Sequence, residues 1–148
     1  MSELTDLYQQ VLLDHYRSPR NRGRPPGAER SAEGHNPLCG DRIKVYVDFG
    51  DDRLRAVGFD GSGCAISQAS ASLMTEAVRG LDRAAFEQLF AAFRAAVTGG
   101  APDPAIELGK LEALAGVAGF PMRVKCATLA WHALEAALEA DPRVVSTE

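Results

Sequence analysis

Cysteine is scarce in this chain: 148 residues hold three, at positions 39, 64 and 126, and no two of them form a CxxC pair. An odd number spread this widely excludes the paired framework of a small disulfide-stapled domain and leaves metal binding, reactivity or plain burial. Long apolar runs are missing as well, so no segment reaches the roughly 18 apolar residues of a membrane-spanning helix. The first ten residues, MSELTDLYQQ, carry acids where a secretory leader would carry basic residues followed by an apolar stretch, and a cytoplasmic protein with no membrane partner is expected. Basic charge is not in excess either. Sixteen Lys and Arg stand against twenty Asp and Glu, a formal net charge of -4, which argues against a nucleic-acid partner.

What is present suits a globular chain. Hydrophobic residues make up 46% and charged residues 24%. A chain of this length has room for a single domain, 1–148, that buries roughly 68–70% of its unfolded surface. Leu4, Leu7, Tyr8, Val11, Leu12 and His15 recur at helical spacing, so residues 4–16 read as an amphipathic helix that stops before Ser18-Pro19. About twenty residues rich in Gly, Pro, Arg and Asn follow and read as a long loop, with Arg17, Arg20, Arg22 and Arg24 as a solvated run. From Asp41 the period becomes two: Ile43, Val45, Val47 and Phe49 alternate with polar residues, which describes a strand with one buried face. Gly50-Asp51-Asp52 turns the chain into an antiparallel partner over Leu54 to Asp60, and Cys64-Ala65-Ile66 reads as a short third strand.

The remainder reads as helical. Ser67 is the expected cap of an Ala- and Ser-rich helix to about Arg79, small enough to approach the sheet closely; Asp82 caps the next, with Phe86, Leu89, Phe90, Phe93 and Val97 inward. Asp103-Pro104 reads as a helix start, and Pro121 opens a last helix to about Ala140, with Trp131 inward and Pro142 beyond its end. Strands first and helices afterwards predict an α+β fold, a small antiparallel sheet of about three strands covered on one side by helices.

Extended backbone through Cys39 and Asp41 would point both to the same side as Ile43, at the edge of the core. Cys64 follows Gly-Ser-Gly, where glycine lets the backbone come close to another group. Cys126 falls near the start of the last helix, whose dipole favours a thiolate. Three thiolates and one carboxylate supply the four donors of tetrahedral zinc, and three sulfurs argue against magnesium or calcium. Such a site is anionic, with Arg123 and Lys125 beside Cys126 as compensating cations. Spacing alone leaves three inert core cysteines open. His15 reads as a packed residue, His35 as a loop residue four positions before Cys39, and His132, about 240° around the helix from Cys126, as unable to share its face.

Four stretches carry a resemblance: LYQQVLLDHYRSPRNRG at the N-terminus, NPLCGD over 36–41, GSGCAISQASASLMTEAVRG over 61–80 and RVKCATLAWHAL over 123–134. Together they resemble the U-type iron-sulfur cluster assembly proteins, and within them the SufU branch more than the IscU branch. The resemblance implies a SufE/IscU-like α+β fold and a metal site of Cys39, Asp41, Cys64 and Cys126. Two departures point to the branch. Lys125 stands where IscU proteins carry a histidine before the third cysteine, and the segment between Cys64 and Cys126 is longer, with the extra residues around Thr98 to Gly116. The chaperone-binding leucine-proline-proline motif of IscU reads here as GFPMR, 119–123.

By this resemblance the chain is expected to bind zinc and to accept persulfide sulfur on Cys39 from a SufS-type, pyridoxal-phosphate-dependent cysteine desulfurase, for use by downstream Suf assembly components. Cys39, with Gly40 behind it, is then the ligand free to swing, while Asp41 anchors the metal and Cys64 and Cys126 stay fixed. The same family also includes scaffolds that assemble a transient [2Fe-2S] cluster and pass it on, and the four ligands suit that role too.

Overall fold

In a computed structural model, which describes residues 3–139 and 145–146, the chain forms an α+β fold. Helix α1 (Glu3–Arg17) is followed by strands β1 (Arg30–Asn36), β2 (Asp41–Gly50) and β3 (Arg53–Ser62), then helices α2 (Ala65–Ala77) and α3 (Arg83–Val97). A 3₁₀ segment (Gly109–Gly119), helix α4 (Pro121–Leu138) and the two-residue strand β4 (Val145–Ser146) complete the order. Ala140 and Pro142, expected to end the last helix, lie outside the described residues. The sheet order is β3-β2-β1-β4, antiparallel except for β4 against β1. No described helix is long and apolar enough to cross a membrane.

The alternation read in β2 is the burial observed: Asp41, Ile43, Val45 and Val47 are buried, whereas Arg42 and Lys44 are exposed. Asp51 and Asp52 both take positive φ, 54° and 59°, the left-handed pair whose twist matches a tight β2–β3 hairpin. Strand β1 occupies a stretch whose composition reads as loop. Its inward residues, Ala32, Gly34 and Asn36, are small or polar and give no hydrophobic alternation. The reason lies in the packing, because a Cβ on Gly34 would stand 2.9 Å from the Leu129 side chain of α4. The helix presses on this strand so closely that large apolar residues have no room there.

Three further expectations are corrected. Cys64-Ala65-Ile66 is not a strand: Cys64, in extended conformation, is the N-cap of α2, so the helix begins two residues before Ser67, whose hydroxyl instead donates to the Cys64 carbonyl at 3.0 Å. Asp103-Pro104 makes a turn, with Asp103 accepting the Ala105 N–H at 2.9 Å, and helical structure starts only at Gly109. The small residues of α2 bring it against α1 and α4 more than against the sheet, which α4 covers directly. Its buried hydroxyls are satisfied in that packing: Ser70 donates to the Ala127 carbonyl at 2.5 Å and accepts from the Trp131 indole at 3.2 Å.

The apolar stripe of α3 is as expected, capped by Asp82, which accepts the Ala85 N–H at 2.7 Å. Phe86, Phe90 and Phe93 surround Trp131, with Phe93 stacked at 4.5 Å between centroids. Helix α1 lies more shallowly than its periodicity suggests. Val11 and Leu12 are half-buried and Leu7 is exposed; the side chain of Leu4 lies outside the described residues. The buried His15, paired with Ser72 at 2.7 Å, pins its C-terminal end to α2.

Candidate metal centre

Four elements bring the cysteines and Asp41 to one end of the sheet. Asp41 is the first residue of β2 and keeps the inward register of Ile43, so its carboxylate is fully buried. Cys39 does not share that register. It sits in the turn 37–40 between β1 and β2, where Gly40 takes a φ of 73° that only glycine adopts without strain, and it is exposed. The expectation that it would lie at the core edge beside Asp41 along one strand is therefore corrected: the backbone turns rather than extends there. Cys64 is half-buried at the start of α2, and Cys126 is fully buried on the second turn of α4.

The ligand atoms of Cys39, Asp41 and Cys126 all lie within 4.8 Å of one another. Cys126 Sγ is 3.5 Å from Cys39 Sγ. Cys64 stands outside that trio yet reaches the same carboxylate: its Sγ is 3.8 Å from Asp41 Oδ2, and its N–H donates to Asp41 Oδ1 at 2.8 Å. A tetrahedron with metal–sulfur bonds of about 2.3 Å has sulfur–sulfur edges of about 3.8 Å, and the 3.5 Å between the Cys39 and Cys126 sulfurs is close to the spacing of two ligands on one small ion. Gly63 makes the approach possible. A Cβ there would lie 2.5 Å from Asp41 Oδ1 and 2.6 Å from Ser67 Oγ, so the group that the glycine admits is the Asp41 carboxylate.

The surroundings of Cys126 favour its neutral thiol. Burial, followed by the hydrogen bonds with Asp41 and Cys39 and the neighbouring Cys64, pushes the Cys126 thiol far up. The helix dipole, expected to favour a thiolate here, is outweighed, because Cys126 is the sixth residue of α4 and the dipole acts within the first turn. A divalent ion reverses that balance, since a coordinating thiol gives up its proton. Arg123 at the start of α4 is exposed and Lys125 beside Cys126 is half-buried; neither makes an ion pair among the described residues.

Sequence reasoning missed Asn36. It is fully buried at the end of β1, and its Nδ2 points to Cys126 Sγ at 3.9 Å. The available signal was Asn36-Pro37, a pair that favours turn initiation. His15 and His132 fall as expected, whereas His35, which reads as a loop residue, lies on a strand. His15 is a packed residue of α1, His35 is half-buried on β1 opposite Arg42, and His132 packs edge-on against Phe90 at 5.1 Å.

With this geometry established, comparison with known proteins is informative. Residues 7–143 match the family model for the NifU-like N-terminal domain. The chain is 43% identical over 134 residues to the zinc-dependent sulfurtransferase SufU of Bacillus subtilis, covering 90% of each chain. It is 42% identical over 139 residues to the iron-sulfur cluster assembly scaffold protein IscU of Streptococcus pyogenes, covering 94% of this chain and 87% of the other. Among solved structures, a candidate iron-sulfur cluster assembly scaffold protein for the SUF system from Fervidobacterium islandicum superposes with a TM-score of 0.82 at 33% identity, covering 93% of this chain and 99% of that one.

Proposed function

This chain belongs to the NifU-like N-terminal domain family, among the SufU and IscU proteins of iron-sulfur cluster assembly, and from that premise we propose that it is a zinc-dependent sulfurtransferase. It takes persulfide sulfur from a SufS-type cysteine desulfurase and passes it to downstream Suf components. Its three free thiols suit the reducing cytoplasm, and residues 1–148 act as one domain. Relatives with the two different functional names match at nearly equal identity, so the choice between them rests on residues. Lys125 supplies no nitrogen ligand where the scaffold branch has a histidine, and this favours sulfur transfer over cluster assembly.

The observation that carries the reading is the contrast within the donor set. Asp41 and Cys126 are fully buried, Cys64 is half-buried, and Cys39 alone is exposed, on a turn closed by Gly40. Cys39, Asp41, Cys64 and Cys126 would hold the zinc, which when bound keeps their thiols deprotonated. Cys39 is then the sulfur most open to a partner. Its thiolate attacks the outer sulfur of the partner's persulfide; the partner's S–S bond breaks, the electron pair leaves on the partner's cysteine, and Cys39 carries the persulfide with no net oxidation. Leu38 beside it, and Phe120 and Met122 at the start of α4, are exposed apolar residues suited to cover the transfer from water.

The test is to incubate the protein with a SufS-type desulfurase and cysteine, trap thiols and locate the additional sulfur by mass spectrometry. Sulfur on Cys39 is expected; sulfur on Cys64 or Cys126 would overturn the assignment.

A further inference from the structure

Asn36 donates no metal ligand, yet one side chain touches both halves of the site. Its Oδ1 accepts the Leu38 N–H at 3.2 Å, its backbone carbonyl accepts the Cys39 N–H at 3.2 Å, and its Nδ2 lies 3.9 Å from Cys126 Sγ. The first contact settles which way the amide faces. A backbone N–H can only donate, so the oxygen must meet Leu38 and the NH₂ must meet the sulfur. Because Asn36 is wholly buried, no water competes for either end. The amide N–H is aimed at the Cys126 sulfur and holds it in place, whereas the side-chain contact described at Cys39 Sγ is with Cys126 Sγ itself, at 3.5 Å.

We propose that Asn36 is a positioning residue that makes the two close sulfurs unequal. Through its NH₂ it holds Cys126 as the fixed ligand, and through its oxygen and carbonyl it seats the turn from which Cys39 is free to leave. The proposal rests on the zinc reading above and adds to it the reason why Cys39, and not Cys126 at 3.5 Å, is the mobile sulfur.

Two substitutions separate this role from support of the turn. Asn36→Asp keeps an oxygen for the Leu38 N–H and replaces the NH₂ by a second oxygen that repels the Cys126 thiolate. Asn36→Ser keeps a turn-forming hydroxyl and is too short to reach the sulfur. Zinc-loaded full-length protein is titrated with a competing chelator, the cobalt-substituted form is examined for its thiolate-to-metal absorption, and the metal-free proteins are melted. Both variants are expected to hold zinc about 10- to 100-fold less tightly and to shift the cobalt–thiolate absorption; when metal-free, Asn36→Ser should melt close to the wild type, whereas Asn36→Asp, which buries a carboxylate, should melt lower. A folded variant of either kind with wild-type zinc affinity and an unchanged cobalt spectrum overturns the proposal. Failure of the wild type to take up zinc at all overturns the underlying metal reading, and this inference with it.

Discussion

Asp41 on β2 accepts the Cys64 N–H at 2.8 Å, and this one bond ties the start of α2 to the sheet at the point where the candidate ligands meet. The carboxylate thus orients Cys64, and in the proposed zinc site it would also donate to the ion. Asp41→Ala removes both. The orphaned amide costs roughly 1–3 kcal/mol of stability, and zinc is expected to be lost to chelator at concentrations that leave the wild type loaded. Thermal melting and competition titration measure the two effects; unchanged zinc retention removes Asp41 from the ligand set.

Gly63→Ala places a methyl where Asp41 Oδ1 and Ser67 Oγ now stand, at 2.5 and 2.6 Å. The residue flanks the site without touching the core, so the fold is expected to survive while the carboxylate is displaced. Zinc affinity should fall about 10- to 100-fold, the cost typical of disturbing what orients a ligand. Gly40→Ala is the useful contrast, because a Cβ there meets nothing within 4 Å and only the φ of 73° resists it. That variant should retain metal better than Gly63→Ala.

Cys39→Ser keeps the turn and removes the exposed sulfur. Sulfur acceptance from the desulfurase is expected to vanish, while the circular dichroism spectrum stays that of the wild type. Cys126→Ser should behave differently: it takes the buried sulfur from the centre of the site, and metal loss should accompany the loss of transfer.

His15 gives the fold a pH dependence of definite sign. Burial first, then Arg20, lowers its pKa below the ordinary 6.5, against the opposing pull of Glu76 and Asp14. The unfolded chain therefore binds the proton that the folded chain refuses, and stability falls as pH drops through 6.5 towards the folded value, with no further loss below it. His15→Gln removes this contribution. Melting curves of metal-free protein between neutral and mildly acidic pH should show a steeper decline for the wild type than for the variant; parallel declines contradict the assignment.

Much of this architecture is legible in the residues, for reasons that can be named. The period of two from Ile43 to Val47, the stripe from Phe86 to Val97 and the Asp82 cap are strong local signals, and each describes an element that buries one face. Strand β1 is illegible because α4 lies too close to Gly34 for apolar bulk, which erases the alternation that marks a strand. The start of α2 is obscured because its cap is Cys64, a residue without capping preference whose side chain makes no cap hydrogen bond. At the candidate metal centre the residue types point to four possible donors, of which Cys39, Asp41 and Cys126 group most closely, but their burial does not follow from the chain. Cys39 leaves the strand through Gly40, and Asn36 reaches Cys126 across 90 residues, a contact that no local pattern announces.

The central claim, that these four side chains hold a single zinc ion for sulfur transfer, is tested most directly by elemental analysis of protein purified without oxygen, with its visible spectrum recorded on the same sample. One zinc per chain and no visible chromophore is the predicted result, and the zinc should fall away in Asp41→Ala and Cys126→Ser. Stoichiometric iron and sulfide with visible absorption bands would contradict the account and make the chain a cluster scaffold.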